Sequence, residues 1–203
     1  MMARPAAVPL ELAGRRVLLR TLTEADYEQW QEVRERCREW LVPWEPRPKG
    51  SPLPAEDPVS FAARCALRER ERQLGTGYGF GIFVGTRFAG EITLSSIQRG
   101  PFQTGHIGYW IDRDLAGRGY VPEAVVVVLA FAFDTIALHR VEISIIPRNQ
   151  ASLRVVEKLG IRSEGIAQKY LEIDGNWEDH AKFAVTLEEW NRRRDQLLAD
   201  WID

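Results

Sequence analysis

The stretch Ile111-Asp112-Arg113-Asp114-Leu115-Ala116-Gly117-Arg118-Gly119-Tyr120-Val121-Pro122-Glu123-Ala124 decides how this chain is read. Residues 104–111 before it carry strand-forming side chains, and an apolar segment follows it to about residue 137. Proline is tolerated in the first turn of a helix, where its missing N–H has no partner, and the adjacent Glu123 complements the positive end of the helix dipole. The order predicted is strand, loop, buried helix, with the four valines 125–128 pulling instead toward a strand. Gly117 and Gly119 let the backbone approach a bound group without a Cβ in the way, and free N–H groups at the helix start attract an anion. Arg113 and Arg118 add cations beside it. Alone, the loop reads either as a phosphate cradle or as a tight connection. It lacks the Gly-Lys-Ser/Thr of a P-loop and the third glycine of the dinucleotide fingerprint.

Working outward, three strands over 78–84, 88–97 and 104–111, joined at Gly85-Thr86 and Gly100-Pro101, predict an antiparallel meander. Upstream lie a strand at 17–20, a helix opened by Thr23 and running to about 38, and a loop over 43–58 with six prolines. A second helix over 59–73 ends at the Gly75, Gly77, Gly79 cluster. Downstream come a strand at 141–146, a helix at 149–159 capped by Asn149, a hairpin of 166–173 with 179–186, and a C-terminal helix carrying Trp190, Leu197, Leu198 and Trp201. The class is mixed α/β, in one domain over 1–203 with its core at about 17–187 and the last helix at 188–203.

The hydrophobic fraction of 45% and charged fraction of 28% exclude disorder, collagen and coiled coil. A net charge of -2 gives no basic field for nucleic acid. The longest apolar run, 124–133, is half of the ~20 residues a membrane helix needs, so it reads as core. Residues 1–16 lack a secretory apolar region, and Cys37 and Cys65 stand apart with no metal-ligand spacing. A cytoplasmic protein without a structural metal is expected, its two cysteines reduced, though a disulfide between them stays open.

Asn149-Gln150-Ala151-Ser152-Leu153-Arg154-Val155-Val156-Glu157-Lys158-Leu159-Gly160, together with the loop, resembles the GNAT superfamily of acyl-CoA N-acyltransferases. The family's Gln/Arg-x-x-Gly-x-Gly/Ala pattern falls on residues 116–121, with departures at Ala116 and Val121. Arg20-Thr21-Leu22-Thr23-Glu24-Ala25-Asp26, Leu41-Val42-Pro43-Trp44, Ile107-Gly108-Tyr109-Trp110-Ile111 and Trp177 to Asp179 make the chain most similar to the ribosomal-protein-alanine N-acetyltransferases of RimJ/RimL type. The resemblance implies a mostly antiparallel twisted sheet flanked by helices, with a V-shaped split between its two central strands. It implies acetyl-CoA as cofactor, with pantetheine along Tyr109, Trp110 and Ile111 and the pyrophosphate held around Arg113, Arg118, Gly119, Tyr120 and Val121. Asn149 would orient the pantetheine amides or cap its helix, and Ser152 would protonate the leaving thiolate or simply pack.

For the general base, His106 titrates near neutrality, with Glu91, Glu172 or a relayed water as rivals. Trp40 and Trp44 read either as an acceptor wall or as core. Arg148, Arg154 and Lys158 read either as partners of the adenosine 3′-phosphate or as a solvated face, and His139 and His180 read as structural. The expected reaction is acetyl transfer to a primary amine, with the N-terminal Ala or Ser of a ribosomal protein as the leading acceptor. The alternatives are a small amine acceptor (amino acid, polyamine or aminoglycoside) and an acyl-CoA-binding regulatory module without turnover. A monomer or homodimer without nucleic-acid or membrane partners is expected.

Overall fold

The computed structural model describes residues 10–52 and 55–203, so residues 1–9 of the N-terminal reading, and Leu53 and Pro54 of the proline-rich loop, lie outside it. Its frame is one sheet of β1 (Glu11–Ala13), β2 (Val17–Arg20), β3 (Tyr78–Val84), β4 (Arg87–Gln98), β5 (Thr104–Ile111), β6 (Arg140–Ile145), β7 (Arg162–Ile173) and β8 (Asn176–Thr186). The strand order is β1-β2-β3-β4-β5-β6-β8-β7, antiparallel throughout except for β5 and β6. That pair touches only at Thr104 with Arg140, Gly105 with Val141 and His106 with Glu142. From Ile107 onward the two strands part, which is the V-shaped split, and among the described residues the edge of β5 facing β6 has no ladder partner there.

Parallel neighbours need a crossover connection, and here it is α4 (Tyr120–Ala130). The four valines are helical: Val125, Val126 and Val128 have no exposed surface and Val127 has 6%. Burial on every side outweighs the weak helix propensity of β-branched residues. The helix starts at Tyr120, two residues ahead of Pro122, and beyond Ala130 it widens into a π turn over Phe131–Thr135. That turn ends the helix short of residue 137. Against the same sheet face pack α5 (Gln150–Lys158) and α6 (Leu187–Trp201), whose Trp190 is fully buried.

The opposite face carries α1 (Tyr27–Arg36), α2 (Arg38–Leu41) and α3 (Pro58–Leu74), around Trp30, Val33, Phe61, Phe83 and Phe88. The single helix expected over 23–38 is three pieces, a 3-10 turn at Glu24–Asp26 and then α1 and α2 broken at Cys37. Strand β1 is an addition to the sequence reading, and both hairpin strands begin earlier than expected.

Two features shape the far side of the split. In β7, Ala167 pairs with His180 and Leu171 with Glu178, so residues 168–170 bulge opposite Asp179. Lys169 there has φ +48°, and its N–H donates to Asp179 Oδ1 at 2.9 Å. The start of the proline-rich loop is also ordered against this hairpin. Pro46 bridges to Ile173, Arg47 N–H donates to the Glu172 carbonyl at 2.9 Å, and Gly175 N–H donates to the Arg47 carbonyl at 3.0 Å. Arg34 of α1 pairs with Glu45 and, at 2.7 Å, with Glu56, tying the loop to the other half of the molecule.

Candidate active site

A cavity of about 510 Å³ runs from the glycine loop to the open edge of β5. Its loop end is lined by Ala116, Gly117, Gly119, Tyr120, Val121 and Pro122, and its strand end by Gly108, Tyr109, Trp110 and Ile111. Gly117 and Gly119 take φ +78° and +88°, the left-handed region where a Cβ is costly, and nothing lies within 4 Å of the place a Gly117 side chain would occupy. The groove is therefore open to a bulky anion at the start of α4. Arg154 and Lys158 also line it and form no ion pair among the described residues.

Helix α5 begins at the same place. Asn149 is its N-cap, and its Oδ1 accepts the Ser152 N–H at 3.1 Å. Such a cap is worth about 1 kcal/mol and commits the carbonyl oxygen. Among the described residues neither Asn149 Nδ2 nor the Ser152 hydroxyl has a protein partner, and both residues line the cavity. The Tyr109 hydroxyl donates to the Ser152 carbonyl at 3.3 Å, joining β5 to α5, and burial pushes its pKa up, so it stays protonated.

A second cavity of about 430 Å³ opens on the β6–β8 side of the split. Trp44, Pro46, Gly108, Tyr109, Asn149 and Ser152 line both, so the two spaces meet at the edge of β5. His106, Ser144, Tyr170 and His180 supply polar groups to the second. Burial lowers the pKa of His106, against an opposing pull from Glu142, whose carboxylate lies 3.9 Å from Nδ1. His180 is lowered by burial in the same way. Both rings are neutral at pH 7.

Set against the sequence reading, Tyr109, Trp110, Ile111, Gly119, Tyr120, Val121, Asn149 and Ser152 share the first cavity, with Trp40 and Trp44 in its wall. Arg113 and Arg118 do not line it. The Arg113 N–H donates to Cys37 Sγ at 3.4 Å, and the Arg118 carbonyl accepts from Arg16 Nη1 at 3.1 Å. His106 lies in the second cavity only. Glu91 lines the first, but Trp30 Nε1 donates to its Oε1 at 2.8 Å and Arg64 pairs with its other oxygen, so each oxygen already holds one donor and the charge is paired. Glu172 is outside both cavities, accepting the Lys49 N–H at 2.7 Å. Arg148 pairs with Glu178 at 2.7 Å across the ring of Trp44, which leaves Arg154 and Lys158 of the three cations on the groove.

His180, read as structural, is 3% exposed within β8 and faces the second cavity, whereas His139 pairs with Glu188 at 3.1 Å. The sequence reading missed Tyr170, which the β7 bulge turns toward His180 and Lys182. No local signal marks it, since the bulge is a property of strand register. Among the described residues no cluster of His, Cys, Asp and Glu could hold a metal, and no helix is long and apolar enough to cross a membrane.

Residues 16–162 match the family model of the acetyltransferase (GNAT) domain. A probable N-acetyltransferase, YjcK of Bacillus subtilis, is 35% identical over 179 residues, 86% of this chain and 96% of that protein. The ribosomal protein uS5-alanine N-acetyltransferase of Escherichia coli is 28% identical, over 91% of this chain and 95% of its own. The structure of Mycobacterium smegmatis RimJ in complex with CoA-disulfide superposes with a TM-score of 0.85 at 30% identity, covering 95% of this chain and 92% of that one. The cofactor of the family is acetyl-CoA. On the match over residues 16–162 and the likeness to YjcK, the chain belongs to the GNAT family and is an N-acetyltransferase.

Proposed function

We propose that this protein moves the acetyl group of acetyl-CoA to a primary amine, the N-terminal Ala or Ser of a ribosomal protein being the favoured acceptor. The observation that carries the reading is the meeting of two cavities at one free strand edge. Donor and acceptor enter from opposite sides and come together beside Tyr109 and Ser152. Acetyl-CoA, when bound, supplies an acetyl group already activated as a thioester.

The residues divide the remaining work. Backbone N–H groups of Gly117 and Gly119 at the start of α4 take the pyrophosphate, and Arg154 and Lys158 the 3′-phosphate. The Asn149 amide holds the pantetheine. A backbone N–H on the open edge of β5 polarises the carbonyl, as preorganised donors do in acyl transfer. The Ser152 hydroxyl gives its proton to the departing sulfur and regains one from water, while neutral His106, through water, receives the proton the amine sheds and returns it to solvent.

An α-amine, with a reference pKa of ~8 against ~10.4 for lysine, needs little help from a base. Among the described residues that line the second cavity there is no carboxylate and no Lys or Arg. With the Lys182 ammonium 2.8 Å from Ser144 Oγ and 3.2 Å from the Tyr170 hydroxyl, the cavity disfavours a polyamine, and its neutral lining suits a peptide end. The uS5-alanine N-acetyltransferase relative supports the same acceptor. Free cysteines at Cys37 and Cys65 fit a cytoplasmic setting.

Release of CoA thiol, followed with one pool of peptides bearing free N-terminal Ala or Ser and one of small amines, tests the proposal. Release with the peptides alone is expected. Release with small amines alone would move the acceptor class, and binding without release from either pool would mean a regulatory module.

A further inference from the structure

Glu123 is fully buried in the first turn of α4, yet none of the chemistry above uses it. Its Oε1 accepts the backbone N–H groups of Arg16 at 2.5 Å and Val17 at 2.9 Å, and its Oε2 accepts Arg16 Nε at 2.8 Å. A carboxylate 107 residues further along the chain thus fixes the turn between β1 and β2 and aims one guanidinium. That guanidinium reaches the glycine loop. Its Nη1 donates to the Arg118 carbonyl at 3.1 Å, its carbon sits 5.0 Å from the centre of the Tyr120 ring, and a Cβ on Gly119 would come 3.2 Å from Nη2.

The peptide plane makes this contact directional. In a trans peptide the C=O and N–H point opposite ways, and no cis bond occurs among the described residues. With the Arg118 carbonyl held toward Arg16, the Gly119 N–H of the same plane is turned away from Arg16, and Gly119 is a wall of the first cavity. Arg16 also offsets the buried negative charge of Glu123 at the very helix start that an anion must approach.

We infer that Arg16, locked by Glu123, is a positioning residue for the cofactor: it sets the Gly119 N–H toward the CoA pyrophosphate and keeps the helix start electropositive. The inference rests on the first cavity being the cofactor site and is independent of the acceptor.

The test uses the full chain carrying Arg16→Met or Arg16→Lys, with calorimetry of CoA and of 3′-phosphoadenosine 5′-diphosphate, the headgroup alone. Arg16→Met should weaken both ligands about tenfold and raise the KM for acetyl-CoA equally, while kcat at saturating acetyl-CoA and the acceptor KM stay within about twofold. Arg16→Lys keeps the charge but cannot hold Glu123 and the Arg118 carbonyl together, so about a threefold loss is expected. If Arg16→Met does not fold, Arg16→Lys decides. Unchanged CoA affinity in a folded variant overturns the inference, as does a fall in kcat at constant KM for acetyl-CoA. Because CoA calorimetry needs no amine, a wrong acceptor leaves this result readable, whereas a wild-type chain that does not bind CoA would instead refute the cofactor-site reading.

Discussion

The two cavities that meet at β5 are built in different ways. The loop end and strand edge of the first are set by backbone: left-handed glycines, the start of α4, a capped α5 and the edge of β5 left without a ladder partner among the described residues. The second is made of side chains brought together by register, namely His106 from β5, Ser144 from β6, Tyr170 from a bulge in β7 and His180 from β8. A backbone site binds what its N–H groups and dipoles dictate, and it tolerates side-chain drift. A side-chain site changes ligand with each substitution. On the proposed reading, one half takes the cofactor shared by the family and the other the acceptor.

Substitutions should separate the halves, and the largest effect is expected in the first. Gly119→Glu puts a Cβ 3.2 Å from Arg16 Nη2 in a left-handed conformation a side chain resists, and adds negative charge beside the proposed pyrophosphate site, so CoA affinity measured by calorimetry should fall by on the order of 100-fold or more. Ser152→Ala, at the junction, should lower kcat by roughly 10- to 100-fold with CoA affinity intact; unchanged turnover would remove its donor role. His106→Ala should cost about tenfold in kcat/KM and alter the acid limb of the pH-rate profile. Burial lowers the His106 pKa from 6.5, so that limb should lie below pH 6.5 in the wild type; a limb unaltered in the variant would assign the base elsewhere.

Smaller effects belong to the second cavity and to stability. Tyr170→Phe removes the hydroxyl that Lys182 contacts at 3.2 Å and should raise the acceptor KM about threefold while leaving the KM for acetyl-CoA alone. An equal rise in both would erase the division between the halves. His106 and His180 both have folded pKa values below 6.5, so the unfolded chain takes up protons first as pH falls. Melting temperature should then decline on acidification below about pH 6.5, and a double His→Asn variant should reduce that slope.

This contrast also explains what was legible beforehand. The glycine loop, the Asn149 cap and the meander are local patterns, each set by backbone chemistry within a few residues, and the cap and the meander stand where the spacing predicted them, the loop giving way to helix two residues early. The four valines pointed two ways because propensity acts locally, whereas the burial that made them helical comes from the sheet and α6. Arg16 and Glu123 are 107 positions apart, and no spacing rule joins them. Tyr170 owes its direction to an unpaired stretch opposite Asp179, and Glu172 was lost as a base candidate because the proline-rich loop folds back to claim it. Glu91, correctly placed near the site, was already held by Trp30 and Arg64 from two separate helices.

A crystal structure with CoA bound tests the central claim most directly. The pyrophosphate is expected against the N–H groups of residues 117–119 and the sulfur beside the Ser152 hydroxyl at the edge of β5, with the cavity of Tyr170 and His180 left free for the acceptor. A headgroup seated against the β7–β8 hairpin, or a sulfur lying in the second cavity away from Ser152, would contradict it.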